Sequence, residues 1–415
     1  MTATPLRMRD LTIEDHTISV PLVWGDDDDA RTIDVHASVA TREGGESLPF
    51  LVFLQGGPGS EAPRILATPS SPSWLDDALK YHRVVMLDQR GTGKSTPVSD
   101  GILDKGTDAV AEYLMHMRAD AIVEDAEAMR EHLGARTWNT LGQSFGGFTT
   151  LAYLSTHAAS LDRVYFTGGL SGIGLTAEDV YAATYDKMRT ASEGYWRRFP
   201  KQRDAMRRLV DLADAGQIVL PDGEVLSVSR LRSLGMLLGS DHGWQTLWGI
   251  LDQDPATNAF HHDLAAAMPF RGRNPLYYVL HESSYADGMV TNWAAERAEP
   301  EDFRADPTLL TGEHIRHEWS ETVPAFQPWR EVAEALAHVE WPKLYDADAI
   351  AASGVEGAAA VYYDDRFVPV EHSMTTAALM PGVRVRVTSE HEHSGLRTGE
   401  VLPMLFDLAD GRLVR

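Results

Sequence analysis

The chain has 415 residues, with 61 acidic and 37 basic side chains and a formal net charge of −24, a balance that repels nucleic acid and anionic membrane surfaces. Cysteine is missing altogether, which excludes disulfides, thiolate zinc sites and a cysteine nucleophile. With 43% apolar and 24% charged residues the composition is that of a soluble globular protein, the acid excess serving solubility or, more sharply, lining a pocket for a cationic substrate.

The stretch from Met1 to Asp15 mixes charges of both signs without an apolar run, so no signal peptide is expected and a cytoplasmic setting is. No segment approaches the roughly 18 apolar residues of a membrane span. Residues 17–24 (HTISVPLV) and 32–40 (TIDVHASVA) alternate apolar and polar positions, which predicts two half-buried antiparallel strands joined by the acidic turn Asp26 to Asp29. LPFLVFL at 48–54 and RVVMLD at 83–88 are continuous apolar runs ending in glycine-rich turns, as in central strands buried on both faces. Ala121, Ile122, Ala126, Met129 and Leu133 recur at helical spacing over 119–133, and Gly134 closes that helix. Residues 137–142 and 163–168 predict two more strands around a helix from 146 to about 158, and such alternation builds a mostly parallel sheet.

From about 171 to 335 this rhythm stops, and helix formers, arginine and tryptophan dominate. It resumes with GAAAVYY at 357–363 and VRVRVT at 383–388. The expected organisation is therefore an α/β core in two parts, 1–170 and 336–415, interrupted by a largely helical cap at 171–335.

Gly142-Gln143-Ser144-Phe145-Gly146 places a G-x-S-x-G sequence between a predicted strand and a predicted helix. That is the setting of a nucleophile elbow, in which small residues let the chain turn sharply enough to lift a serine hydroxyl above the sheet. The same string in isolation would be an ordinary glycine turn. Upstream, Leu54-Gln55-Gly56-Gly57-Pro58-Gly59 follows an early strand and can present a backbone N–H toward the serine, with Phe145 supplying a second oxyanion donor. Asp88-Gln89-Arg90-Gly91-Thr92-Gly93-Lys94-Ser95 lacks the spacing of a phosphate-binding loop and reads as a structural loop in which Asp88 and Arg90 pair. An activated serine needs a base, and the base an orienting acid. In this chain order the acid falls at Asp364 or Asp365 and the base at His391 or His393. His261-His262 and His314/His317 have no matching carboxylate spacing, so neither a metal nor another cofactor is expected.

Together, LQGGPG (54–59), LDQRGTGKS (87–95), GQSFGG (142–147), YYDDRFVP (362–369) and EHSGLR (392–397) resemble the proline iminopeptidases (prolyl aminopeptidases), a serine-peptidase branch of the α/β-hydrolase fold. The resemblance implies Ser144 as nucleophile, Asp365 as acid because Pro369 stands four residues on, and His393 as base because Ser394 follows it. It implies Gly57 and Phe145 as backbone oxyanion donors; Gln55 departs from the histidine that many members carry there. It further implies cap glutamates for the substrate's free amino group. Glu282 in HESSY (281–285) is the first candidate, and Glu296 in NWAAERA (292–298) the second. A protonated amine taken out of water must be paired and hydrogen-bonded. The implied partners are short peptides or aminoacyl amides with a free N-terminus. The same scaffold also carries esterases, amidases and carbon–carbon hydrolases, and catalytically dead binding proteins; substrate N-acetylation separates an aminopeptidase from an esterase.

Overall fold

The computed structural model describes residues 5–67, 70–398 and 400–413. Nine strands form one sheet: β1 (Leu6–Met8), β2 (Leu11–Pro21), β3 (Thr32–Arg42), β4 (Phe50–Leu54), β5 (Arg83–Leu87), β6 (Trp138–Gln143), β7 (Leu161–Thr167), β8 (Glu356–Tyr362) and β9 (Val383–Thr388). Their spatial order is β1-β2-β3-β5-β4-β6-β7-β8-β9. The first three strands are antiparallel and β3 meets β5 antiparallel, whereas every pair from β5 to β9 is parallel. The carboxyl ends of β4, β6, β7 and β8 therefore share one edge, and the loops leaving it carry Gly57, Ser144, Gly168 and Asp365.

Burial follows the expected patterns. All five residues of β4 are buried, as a central strand requires. Its alternate side chains serve two cores: Val52 and Leu54 pack with Val85, Phe148 and Leu151 on one face, while Leu51 and Phe53 pack with Met86, Leu402 and Leu405 on the other. The second strand begins at Leu11 and its ladder ends at Pro21, where the sequence predicts 17–24. Leu11 and Ile13 are buried, which draws the strand toward its start; beyond Pro21 the Leu22 N–H still reaches the Arg31 carbonyl, but the Arg31 N–H turns back to Asp29 Oδ1 and the ladder stops.

Helices α1 (Ala119–His132) and α2 (Phe145–Thr156) lie close to their expected places. Between β7 and β8 the chain is helical, with α3 (Ala177–Arg198), α4 (Pro200–Asp214), α5 (Gly243–Leu251) and α6 (Asn258–Ala267) as its longer members. The α3 start is fixed by a capping box: the Asp179 N–H donates to Thr176 Oγ1 at 3.1 Å and the Thr176 N–H to Asp179 Oδ2 at 3.0 Å. These helices hold a core of their own around Tyr185, Met188, Met206, Leu209, Phe260 and Leu264. Helices at Thr107–Met115 and Val401–Ala409 join those the sequence pattern brings out. No helix among the described residues is long and apolar enough to cross a membrane.

Asp88 and Arg90 do not pair. Arg90 is buried and turns beneath the loop onto Asp125 of α1, with Nη2 to Oδ1 at 2.6 Å, while its Nη1 donates to the Leu22 and His116 carbonyls. Asp88 instead accepts the Ala62 and Lys94 N–H groups, so it stiffens its own loop. The two side chains leave the chain two positions apart, and each finds a buried partner set that the other could not reach.

Candidate active site

The turn between β6 and α2 puts Ser144 at φ 54°, ψ −124°, a conformation that costs a non-glycine residue about 1–3 kcal/mol. The surroundings hold it there. A Cβ on Gly146 would lie 1.8 Å from the Leu54 carbonyl oxygen, and one on Gly142 would lie 2.5 Å from the Gly146 oxygen, so only glycine allows the strand, turn and helix to close this tightly. The Ser144 N–H donates to the Thr167 carbonyl at 3.1 Å, tying the turn to the end of β7. Phe145 is the first residue of α2, where an N–H has no helical carbonyl to pair with. Gly57, at φ 114°, lies in the loop after β4 and lines the same cavity as Ser144.

The loop after β8 carries Asp365, fully buried. Its Oδ1 accepts the Phe367 and Val368 N–H groups at 2.9 and 3.0 Å, which fixes the carboxylate. Its Oδ2 meets His393 Nδ1 at 2.7 Å. The neighbouring Asp364 is half-buried and lies 3.7 Å from Arg366, and His391 lies 3.3 Å from Asp241. Of the two acids and two histidines that the sequence leaves open, the buried contact thus joins Asp365 and His393. Burial would depress the His393 pKa, but the charge and hydrogen bond of Asp365, aided by Glu313, outweigh it and hold the imidazole above its ordinary value.

The Gly168–Gly169 turn after β7 separates the serine from this pair. A Cβ on Gly168 would lie 3.1 Å from both Asp365 Oδ2 and His393 Nδ1, and one on Gly169 would lie 2.8 Å from the Ser144 carbonyl oxygen. The histidine loop is also tied to the cap. The His393 N–H donates to the Gly239 carbonyl at 3.0 Å, and Ser394 Oγ bonds Asp241 through both its N–H (3.1 Å) and its carboxylate (2.8 Å).

Ser144, His393 and Gly57 open into a cavity of about 400 Å³ whose apolar walls include Met236, Leu237, Met268, Pro269 and Phe367. A comparable depression beside Trp24 and Trp341 contains none of these groups. Neither cap glutamate anticipated from the sequence lines the active cavity. Glu282 is buried elsewhere and accepts the Ala295 N–H at 2.9 Å, its carboxylate serving the start of the short helix Ala294–Arg297; burial raises its pKa and those hydrogen bonds oppose the rise. Glu296 is exposed and accepts the His317 N–H.

The cavity's carboxylate is Glu313, which the sequence did not single out. It accepts a hydrogen bond from the Tyr277 hydroxyl. Its nearest potential cation is His281, 4.0 Å away, and burial lowers that imidazole's pKa and keeps it neutral. Among the described residues, then, Glu313 is a carboxylate without a cationic partner, facing the space next to a serine and an imidazole.

Residues 49–219 match the alpha/beta hydrolase fold family. The chain is 37% identical to the proline iminopeptidase of Aeromonas sobria over 403 residues, which covers 92% of this chain and 93% of that protein. It is 28% identical to proline iminopeptidase aneH of Aspergillus aculeatus, covering 88% and 86%. The crystal structure of a proline iminopeptidase from Mycobacterium smegmatis superposes with a TM-score of 0.46 at 15% identity, covering 96% of this chain and all of that one.

Proposed function

We propose, because this chain belongs to the proline iminopeptidase family, that it is a serine aminopeptidase that releases proline from the N-terminus of peptides. The carrying observation is that one cavity holds the serine of a strained elbow, an imidazole hydrogen-bonded to a buried carboxylate, and a second carboxylate without a cation.

Ser144, His393 and Asp365 act as a catalytic triad. His393 Nδ1 is committed to Asp365, so Nε2 is the nitrogen that takes the Ser144 proton as Oγ attacks the carbonyl carbon of the first residue. The oxyanion develops against the Gly57 and Phe145 N–H groups. His393 returns the proton to the leaving nitrogen, the C–N bond breaks, and proline remains as an ester on Ser144. Water, deprotonated by His393, then attacks that ester and frees proline and the hydroxyl. Glu313 pairs with the protonated imino group and so selects substrates with a free N-terminus, while the apolar wall receives the pyrrolidine ring. The lack of cysteine supports a cytoplasmic setting.

The test is hydrolysis of proline 4-nitroanilide beside its N-acetylated form, with Ser144→Ala as control. Turnover of the free substrate alone, abolished in the variant, is the expected result. Equal turnover of both forms would replace the aminopeptidase reading with an esterase or amidase one.

A further inference from the structure

The cavity that holds Ser144 and Glu313 also reaches two arginines, Arg397 and Arg271. In a chain of net charge −24, many arginines have a carboxylate at hand, and Arg273, two positions beyond Arg271, pairs with Glu61. Arg397 and Arg271 do not: among the described residues, neither guanidinium has a carboxylate within 4.0 Å or a hydrogen-bond partner. Their place in the reaction gives this meaning. Arg397 lies on the short turn Gly395–Thr398 directly after His393, and its N–H donates to the Ser394 carbonyl at 2.8 Å, so it is anchored to the loop that carries the base.

His393 protonates the leaving nitrogen, so the leaving residue sits beside it. In a dipeptide the carboxylate carbon lies only two bonds, about 2.5 Å, from that nitrogen, and each further residue carries it up to about 3.5 Å away. We propose that Arg397, with Arg271 from the cap, forms a carboxylate site for the leaving residue. The enzyme then favours dipeptides with a free C-terminus, held by Glu313 at one end and guanidinium at the other. The Arg397 charge also reaches His393, where it opposes the carboxylates that raise the imidazole's pKa. Guanidinium suits this task because its planar fork meets a carboxylate through two parallel hydrogen bonds.

This inference rests on the aminopeptidase reading, and the experiment separates the two. kcat/KM is measured for prolyl-alanine, prolyl-alaninamide and proline 4-nitroanilide, in wild type and in the Arg397→Gln, Arg271→Gln and double variants. Wild type should prefer the acid to the amide at least tenfold. That ratio should fall severalfold in Arg397→Gln and approach one in the double variant; because it is taken within each protein, a general loss of turnover cancels. Wild type that cleaves the anilide but treats acid and amide alike, or a ratio that both substitutions leave intact, overturns the carboxylate site. Wild type that cleaves none of the three overturns the reading beneath it as well.

Discussion

Replacing Glu313 with glutamine removes the cavity's negative charge and little else. The two side chains have nearly the same volume, and glutamine keeps a carbonyl oxygen to accept the Tyr277 hydroxyl, so the walls stay in place. What is lost is a charge-assisted contact to the substrate's ammonium, worth about 1.5–3 kcal/mol in a partly desolvated site. At about 1.4 kcal/mol per tenfold, kcat/KM for proline 4-nitroanilide should fall by roughly ten- to a hundredfold. A small ester without an amine, 4-nitrophenyl acetate, makes no such contact, so the ratio of anilide to ester kcat/KM should fall by the same factor. A second readout follows from electrostatics. Glu313 is one of the charges that raise the His393 pKa, and activity requires the imidazole neutral. Without that negative charge the imidazolium is less favoured, its pKa drops, and the acid limb of the kcat/KM profile should move to lower pH. Unchanged anilide kinetics, or anilide and ester turnover lost in equal measure, would refute the amine-binding assignment.

Asp365→Asn removes the charge that holds the His393 tautomer and should lower kcat by about 10⁴, with the remaining acid limb displaced to lower pH; stopped-time assays over pH 5–9 check it. Gly168→Ala adds a methyl 3.1 Å from both Asp365 Oδ2 and His393 Nδ1 at φ 52°, so kcat should fall while fluorophosphonate labelling of Ser144 slows in step. Glu282→Ala strands buried N–H groups at the start of helix Ala294–Arg297 and should destabilise the fold by about 1–3 kcal/mol, read by urea titration. Should it instead raise KM selectively at full stability, Glu282 would belong to the substrate site.

The parallel sheet and the serine turn were legible because their signals are local. A continuous apolar run such as 50–54 announces a strand buried on both faces, and glycines at 142 and 146 announce a close approach that no other residue permits. The proposed acid and base were legible only to within a pair, since Asp364 and Asp365 differ by which face of one loop they take and His391 and His393 by which neighbour they meet. The cap resisted reading for a related reason. Glu282 opens a single 3-10 turn and Glu313 sits in a bend between helices, and nothing near either one fixes its direction. Packing across 13 residues turns Glu282 onto the Ala295 N–H, while Glu313 faces the cavity. Arg90 misled similarly, its partner Asp125 lying 35 residues away on α1.

The bonds from Gly239 and Asp241 to His393 and Ser394 bear on any effort to re-engineer specificity. Exchanging the helical insertion for that of a relative looks like a modular operation, a new roof on an old foundation. Here the roof also steadies the imidazole proposed as general base, so a transplant that omits residues 239–241 would arrive with that ring unmoored, and its loss of turnover would be misread as poor substrate fit.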